Sequence, residues 1–185
     1  MLIFDFSDFP ILETNRLLLR QIVKEDASEM FALRSNPEIM RYIPREMPKN
    51  IDDAINHIEY MQGLLDNNEC INWAICLKEN PKLIGNIGYF RMQPENHRAE
   101  IGYMLATEFH GKGIMQEALT RIIEYGFQNM KLHSIEAVTD PENYPSWKLL
   151  EKNGFIREGH FKQDTYWQGV YLDSFVYSLL NPNEN

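Results

Sequence analysis

The stretch from residue 71 to residue 123 constrains the fold most. Three runs, 71–77, 83–92 and 97–106, are rich in Ile, Tyr, Phe and Trp. They are separated by Glu79-Asn80-Pro81-Lys82 and Gln93-Pro94-Glu95-Asn96, both turn-forming, so three antiparallel neighbours are expected. The third run passes through Phe109-His110-Gly111-Lys112-Gly113 into Ile114, Met115, Ala118, Leu119, Ile122 and Ile123. That spacing is one apolar face of a helix, expected to end near Gly126. A sheet strand that turns on glycines into an amphipathic helix is therefore the centre of the chain.

The flanks extend the pattern. Residues 16–22 (RLLLRQI) read as a strand, and Asp26 opens a helix containing Met30, Phe31, Leu33 and Arg34. Asn50 caps a second helix whose Ile51, Ile55, Ile58 and Met61 fall on one face. After the central helix come a strand over 133–139, a short helix over 143–152 stopped by Asn153-Gly154, and strands over 155–161 and 170–180. The order β-α-α-β-β-β-α-β-α-β-β is an α+β pattern. No linker, repeat or biased segment divides it, and 185 residues suit one domain spanning 1–185.

Charge and cysteine content narrow the function classes. A formal net charge of −9 opposes the counterion-release term that drives nucleic-acid binding, so no direct nucleic-acid partner is expected. Cys70 and Cys76 are too few for a disulfide scaffold and read as core residues. No apolar run approaches the roughly 20 residues of a membrane span, so no membrane partner is expected. Met1 to Pro10 carries Asp5 and Asp8 and no basic residue, the wrong polarity for a secretory leader, which points to the cytoplasm. The five histidines show no metal-ligand spacing, and no metal is expected.

The loop at Gly111-Lys112-Gly113 carries the chemistry. A glycine turn opening a helix aims backbone N–H groups and a positive dipole end at one spot, an anion site, although such turns also occur without a ligand. Two phosphate motifs fail here. A P-loop needs Ser or Thr where Gly113 stands and Gly where Ala106 stands, and the dinucleotide fingerprint needs Gly where Gln116 stands.

The loop resembles the pyrophosphate signature of the GNAT family of N-acetyltransferases, Arg/Gln-x-x-Gly-x-Gly/Ala, laid over His110 to Met115. Gly113 matches, while His110 and Met115 depart from the pattern. Further segments resemble the branch that acetylates ribosomal-protein N-termini: Glu13-Thr-Asn-Arg-Leu-Leu-Leu-Arg20, Ala99-Glu-Ile-Gly-Tyr103, Asn143-x-x-Ser146, Glu151-Lys-Asn-Gly-Phe155 and Val176-Tyr-Ser-Leu-Leu180. The resemblance spans about 13–180, and it implies a mixed, mostly antiparallel sheet with a central pair of splayed parallel strands flanked by helices.

It also implies acetyl-CoA as cosubstrate and direct attack by an amine in a ternary complex. Backbone groups of Met104 and Leu105 would contact the pantetheine and thioester, and His110, Gly111, Lys112, Gly113, Ile114 and Met115 would wrap the pyrophosphate. Asn143 would bond the pantetheine arm. Ser146 would face the departing thiolate; a thiol's pKa near 8.5 lies far below that of a serine hydroxyl, so a hydrogen bond is the easier role than proton donation. Ser146 reads alternatively as a helix cap, with Tyr144 as fallback donor. Glu100, on the strand beside the cleft, and Asp164, in an expected loop over 162–169, are the candidate bases. Asp173 reads as a fold residue. Tyr42, Tyr89, Tyr103, Tyr166 and Trp167 line the acceptor cleft or simply pack.

With so few bases, the acceptor is expected to be a protein N-terminal α-amine. At pH 7 an α-amine with pKa about 7.8 is roughly one-seventh neutral, whereas a lysine-type amine is neutral in only about four parts in ten thousand. The negative net charge favours a basic segment behind that N-terminus. The alternatives are a polyamine, an antibiotic or another small amine, or a non-catalytic acyl-CoA-binding module; retention of both Asn143 and Ser146 argues against the last. The sequence assigns no oligomeric state.

Overall fold

The computed structural model describes residues 1–183; Glu184 and Asn185, within the expected domain span, lie outside it. One eight-stranded sheet runs in the order β1-β2-β3-β4-β5-β6-β8-β7. Its strands are β1 (Leu12–Glu13), β2 (Leu17–Gln21), β3 (Ile71–Leu77), β4 (Asn80–Gln93), β5 (Arg98–Leu105), β6 (Ser134–Thr139), β7 (Ile156–Trp167) and β8 (Val170–Leu180). The helices are α1 (Ala27–Arg34), α2 (Pro37–Met40), α3 (Ile51–Asp66), α4 (Ile114–Gln128) and α5 (Tyr144–Lys152). The fold is α+β, as expected, and β3, β4 and β5 are consecutive antiparallel neighbours.

The two faces of the sheet bury separate sets of side chains. Leu17, Leu19, Trp73, Ile75, Ile87 and Tyr89 face α4, which contributes Ala118, Leu119 and Ile122 to the larger core. Ala74, Cys76 and Leu83 face α1 and α3, which contribute Met30, Leu33, Ala54 and Ile58. This division follows from strand geometry, in which successive side chains point to opposite faces. Cys70 and Cys76 are both buried and free.

Two strand boundaries depart from the sequence reading, each for a local reason. Leu77 pairs with Asn80, so Lys78 and Glu79 alone make the hairpin turn and the expected turn residues Asn80, Pro81 and Lys82 begin β4. Irregular register beside Cys76 absorbs Pro81, which needs no ladder hydrogen bond where β5 has already ended. The expected loop over 162–169 is strand: β7 continues to Trp167 and returns through Gln168 and Gly169, both at positive φ, as a two-residue hairpin turn requires. The strand Leu12–Glu13 and the one-turn helix α2, capped by Asn36 with Pro37 at its start, are additional.

The central helix runs past Gly126 to Gln128. Gly126 is there for packing: a Cβ at that position would lie 2.2 Å from the Tyr89 phenol oxygen, and Tyr89 is fully buried, donating its O–H to the Ile122 carbonyl at 2.8 Å. The ring has nowhere to retreat. Gly126→Ala is therefore expected to destabilise the fold by about 1–3 kcal/mol, overpacking outweighing the better helix propensity of alanine. Thermal unfolding of the variant checks this, and an unchanged or raised midpoint contradicts it.

Candidate active site

The sheet opens where its one parallel pair separates. β5 and β6 pair at Arg98 with Ser134, Ala99 with Ile135 and Glu100 with Glu136; β6 pairs with no residue of β5 beyond Glu100. From there residues 101–105 keep β4 as their only strand partner, and their other edge lines a cleft of about 1940 Å³. An ion pair between Arg98 and Glu136 ties the two strands together at the closed end of the fork.

On the other side of the opening stands the N-terminus of α4. Gly111 and Gly113 both adopt left-handed backbone, φ +70° and +72°, conformations that a side chain disfavours. Helix geometry leaves the first N–H groups of α4 without intrahelical partners, at the cleft mouth that residues 109–111 and 113–116 line. His110 bonds through Nε2 to the Leu105 carbonyl at 2.9 Å, so its side chain shapes the loop and occupies one of the backbone groups expected to meet a ligand. Lys112 lies over the Phe109 ring at 5.5 Å.

A brace from the connection between β1 and β2 holds the loop. Glu117, in the first turn of α4, accepts hydrogen bonds from Thr14 Oγ1 at 2.5 Å, from the Arg16 backbone N–H at 2.8 Å and from Arg16 Nε at 2.7 Å. The same guanidinium donates to the Lys112 carbonyl at 3.0 Å. The Glu13-Thr-Asn-Arg16 segment thus contributes to the site by fixing the shape of the loop.

Asn143 caps α5, its Oδ1 accepting the Ser146 N–H at 3.4 Å. Ser146 is therefore not the cap: its Oγ lies 3.0 Å from the Tyr103 phenol oxygen, on β5. Burial pushes the Tyr103 phenol up to about 12, with the Ser146 hydrogen bond working weakly the other way, so the phenol stays protonated; either hydroxyl of the pair can donate to the other. Sequence reasoning placed Tyr103 only among possible cleft aromatics. The alternation of β5 does put it on the face of Ile101 and Leu105, but nothing local pairs it with Ser146, 43 residues away.

Tyr144 is not a fallback donor. It is exposed, packs on Trp147 at 4.4 Å between ring centroids, and does not line the cleft. Tyr42 lines the cleft with Tyr103, whereas Tyr89 belongs to the core and Tyr166 packs against Tyr171 on the far hairpin.

The two candidate carboxylates are placed very differently. Glu100 sits at the fork, on the face of β5 opposite Tyr103, and burial raises its carboxyl against the opposing pull of Arg91, whose guanidinium is 2.8 Å away. A carboxylate raised in this way is a better base than a free one. Asp164 is exposed on an irregular stretch of β7, at the rim of the cleft. Asp173 accepts from Gln163 N–H at 2.9 Å and pairs with His160 at 2.7 Å, holding the irregular stretch in shape as a fold residue does. Among the described residues no cluster of His, Cys, Asp or Glu suits a metal ion, and no helix is long and apolar enough to cross a membrane.

A forked parallel pair, a helix N-terminus at the fork's mouth and a hydroxyl pair inside it form a site for a long anionic thioester and an acyl transfer from it. The chain belongs to the GNAT acetyltransferase family: the family's acetyltransferase domain matches residues 16–156. It is 39% identical over 176 residues to the uncharacterized N-acetyltransferase YoaA of Bacillus subtilis (strain 168), covering 95% of this chain and 99% of that protein. It is 35% identical over 141 residues to the ribosomal-protein-serine acetyltransferase of Escherichia coli (strain K12), covering 70% of this chain and 79% of that one. The crystal structure of a GNAT-family acetyltransferase from Bacillus anthracis superposes with a TM-score of 0.82 at 31% identity, covering 92% of this chain and 98% of that chain. The protein is an N-acetyltransferase that uses acetyl-CoA.

Proposed function

We propose that the chain acetylates the α-amine of a protein N-terminus by direct attack in a ternary complex, in the cytoplasm. The observation that carries this reading is the division of labour across β5: the Tyr103–Ser146 pair on one face and the partly buried carboxylate of Glu100 on the other. Bound acetyl-CoA supplies an activated carbonyl and a thiolate leaving group. The first-turn N–H groups of α4, with Gly111, Gly113, Ile114 and Met115, hold its pyrophosphate, and Lys112 adds a charge at the rim. Backbone groups of Met104 and Leu105 and the side chain of Asn143 hold the pantetheine arm.

Tyr103 donates to Ser146, which leaves the serine hydroxyl proton directed at the sulfur as negative charge develops there. Both groups stay protonated at neutral pH, so their contribution is hydrogen bonding to the thiolate, and water supplies the proton. Glu100 removes a proton from the incoming amine, directly or through one water. Asp164, exposed at the rim, contacts the acceptor chain. A single carboxylate base suits an amine that is already partly neutral, which favours an α-amine over a lysine or polyamine nitrogen.

Thiol release measured with both substrates varied tests this. Initial-rate lines should intersect, and a peptide with a free N-terminus should be turned over faster than the same peptide blocked at the N-terminus with an exposed lysine. Parallel lines overturn the ternary mechanism; faster turnover of spermidine than of every peptide overturns the acceptor.

A further inference from the structure

The acceptor side of the cleft carries two guanidinium groups that no ion pair among the described residues takes up. Arg34 closes α1, Arg45 lies on the segment between α2 and α3, and His57 projects from α3; all three line the same cleft as Glu100 and Met104. Among the described residues neither arginine forms an ion pair, whereas Arg16, Arg20, Arg91 and Arg98 each pair with a carboxylate. Arg41, next in the wall, lies over the Tyr42 ring.

The two guanidinium groups are close enough to repel each other. Arg34 is partly buried and is held below the ordinary guanidinium value first by burial and then by Arg45. His57 is lowered to about 4 by burial, then Arg34, then Arg45, so it stays neutral at pH 7 and adds a hydrogen-bonding ring without adding to the repulsion. Glu38, Glu69 and Glu100 also line the cleft; burial raises the Glu100 carboxyl and Arg45 draws it down across the cleft, while no carboxylate offsets Arg34. Taking a guanidinium out of water beside a like charge is costly unless an anion arrives. In a chain with net charge −9, such a cluster leaves a partly buried guanidinium, Arg34, in the wall of a substrate cleft without an anionic partner among the described residues.

We propose that Arg34 and Arg45 form an anion subsite, so that the preferred acceptor is an N-terminus followed within one or two residues by a carboxylate. The inference rests on the α-amine reading above. The amine goes to Glu100 and the neighbouring carboxylate to the two guanidinium groups, which offer planar pairs of donors matched to its oxygens. This reverses the expectation of a basic acceptor segment drawn from net charge. That sum describes the whole surface, whereas recognition is set by the wall of the cleft. A polycationic acceptor is disfavoured by the same residues.

Three peptides with free N-terminal serine and amidated C-termini, differing only in Asp, Ala or Lys at the second position, test the subsite. The aspartate peptide should show a kcat/KM at least 10-fold above the alanine peptide, with the lysine peptide lowest. In the double variant Arg34→Gln, Arg45→Gln, shown folded by its circular dichroism and melting curve, the aspartate-to-alanine ratio should fall to within about twofold of unity. Equal use of the aspartate and alanine peptides by the unaltered protein overturns the subsite while leaving the α-amine reading intact. A ratio preserved in the variant also overturns it. Turnover of spermidine with none of the three peptides accepted overturns both.

Discussion

Gly113→Glu raises the dissociation constant for acetyl-CoA at least 100-fold while the protein remains folded. Gly113 is the residue before α4, at φ +72°, and the nearest atom to a Cβ built there is an Arg16 guanidinium nitrogen at 3.6 Å. Space is therefore not the obstacle to folding; left-handed backbone costs a non-glycine residue roughly 1–2 kcal/mol. The effect on the ligand is larger. A carboxylate at this position would compete for the first-turn N–H groups proposed to hold the CoA pyrophosphate, with the Arg16 guanidinium beside it. Gly113→Ala separates the two contributions, since it carries the backbone strain without the charge and should lose at most about tenfold. Titration calorimetry on both variants decides the matter. Unchanged affinity in folded Gly113→Glu contradicts the assignment of this loop to the pyrophosphate.

Ser146→Ala lowers kcat about 10- to 100-fold and changes KM for acetyl-CoA less than threefold. In the proposed mechanism its hydroxyl strengthens its interaction only as charge leaves the carbonyl for sulfur, which is the signature of a contact made in the transition state. Tyr103→Phe should act in the same direction and more weakly, because it removes the donor that orients the serine, 3.0 Å away. The two act as a unit, so the double variant should lose little more than Ser146→Ala alone. Burial holds the Tyr103 phenol at about 12, so the rate should show no titration attributable to it below pH 9. Normal turnover of Ser146→Ala would assign the thiolate to water.

The parts of the fold legible in the sequence are those with local causes. Alternation and turn residues place β3, β4 and β5, and the apolar face of Ile114 to Ile123 places α4 after its glycines. The errors fall where a local signal is overridden by a partner. Pro81 reads as a turn, yet the irregular pairing beside Cys76 takes it into β4. Gly126 reads as a helix end, yet it is the gap that admits the Tyr89 ring. Gln168-Gly169 is a hairpin signal, and beside it the register irregularities of β7 broke the alternation that would have revealed a strand over 162–167.

The site divides in the same way. The loop over 110–115 is contiguous and could be read directly. The Tyr103–Ser146 contact and the Arg16–Glu117 brace join residues 43 and 101 positions apart, and no pattern in one sequence encodes such a meeting. Arg34, Arg45 and His57 look unremarkable along the chain, each on a polar helix face or loop. Only the way α1, α3 and the segment between α2 and α3 converge on the cleft puts them in one wall.

The most direct measurement is the position of the acetyl group in a product that offers both amines. A peptide with a free N-terminus, aspartate at its second position and an internal lysine is incubated with the enzyme and acetyl-CoA at pH 7, and the product is sequenced by tandem mass spectrometry. The account predicts one acetyl group, on the α-nitrogen, with one equivalent of CoA released. Acetylation of the lysine side chain, or CoA release without an acetylated peptide, would contradict it.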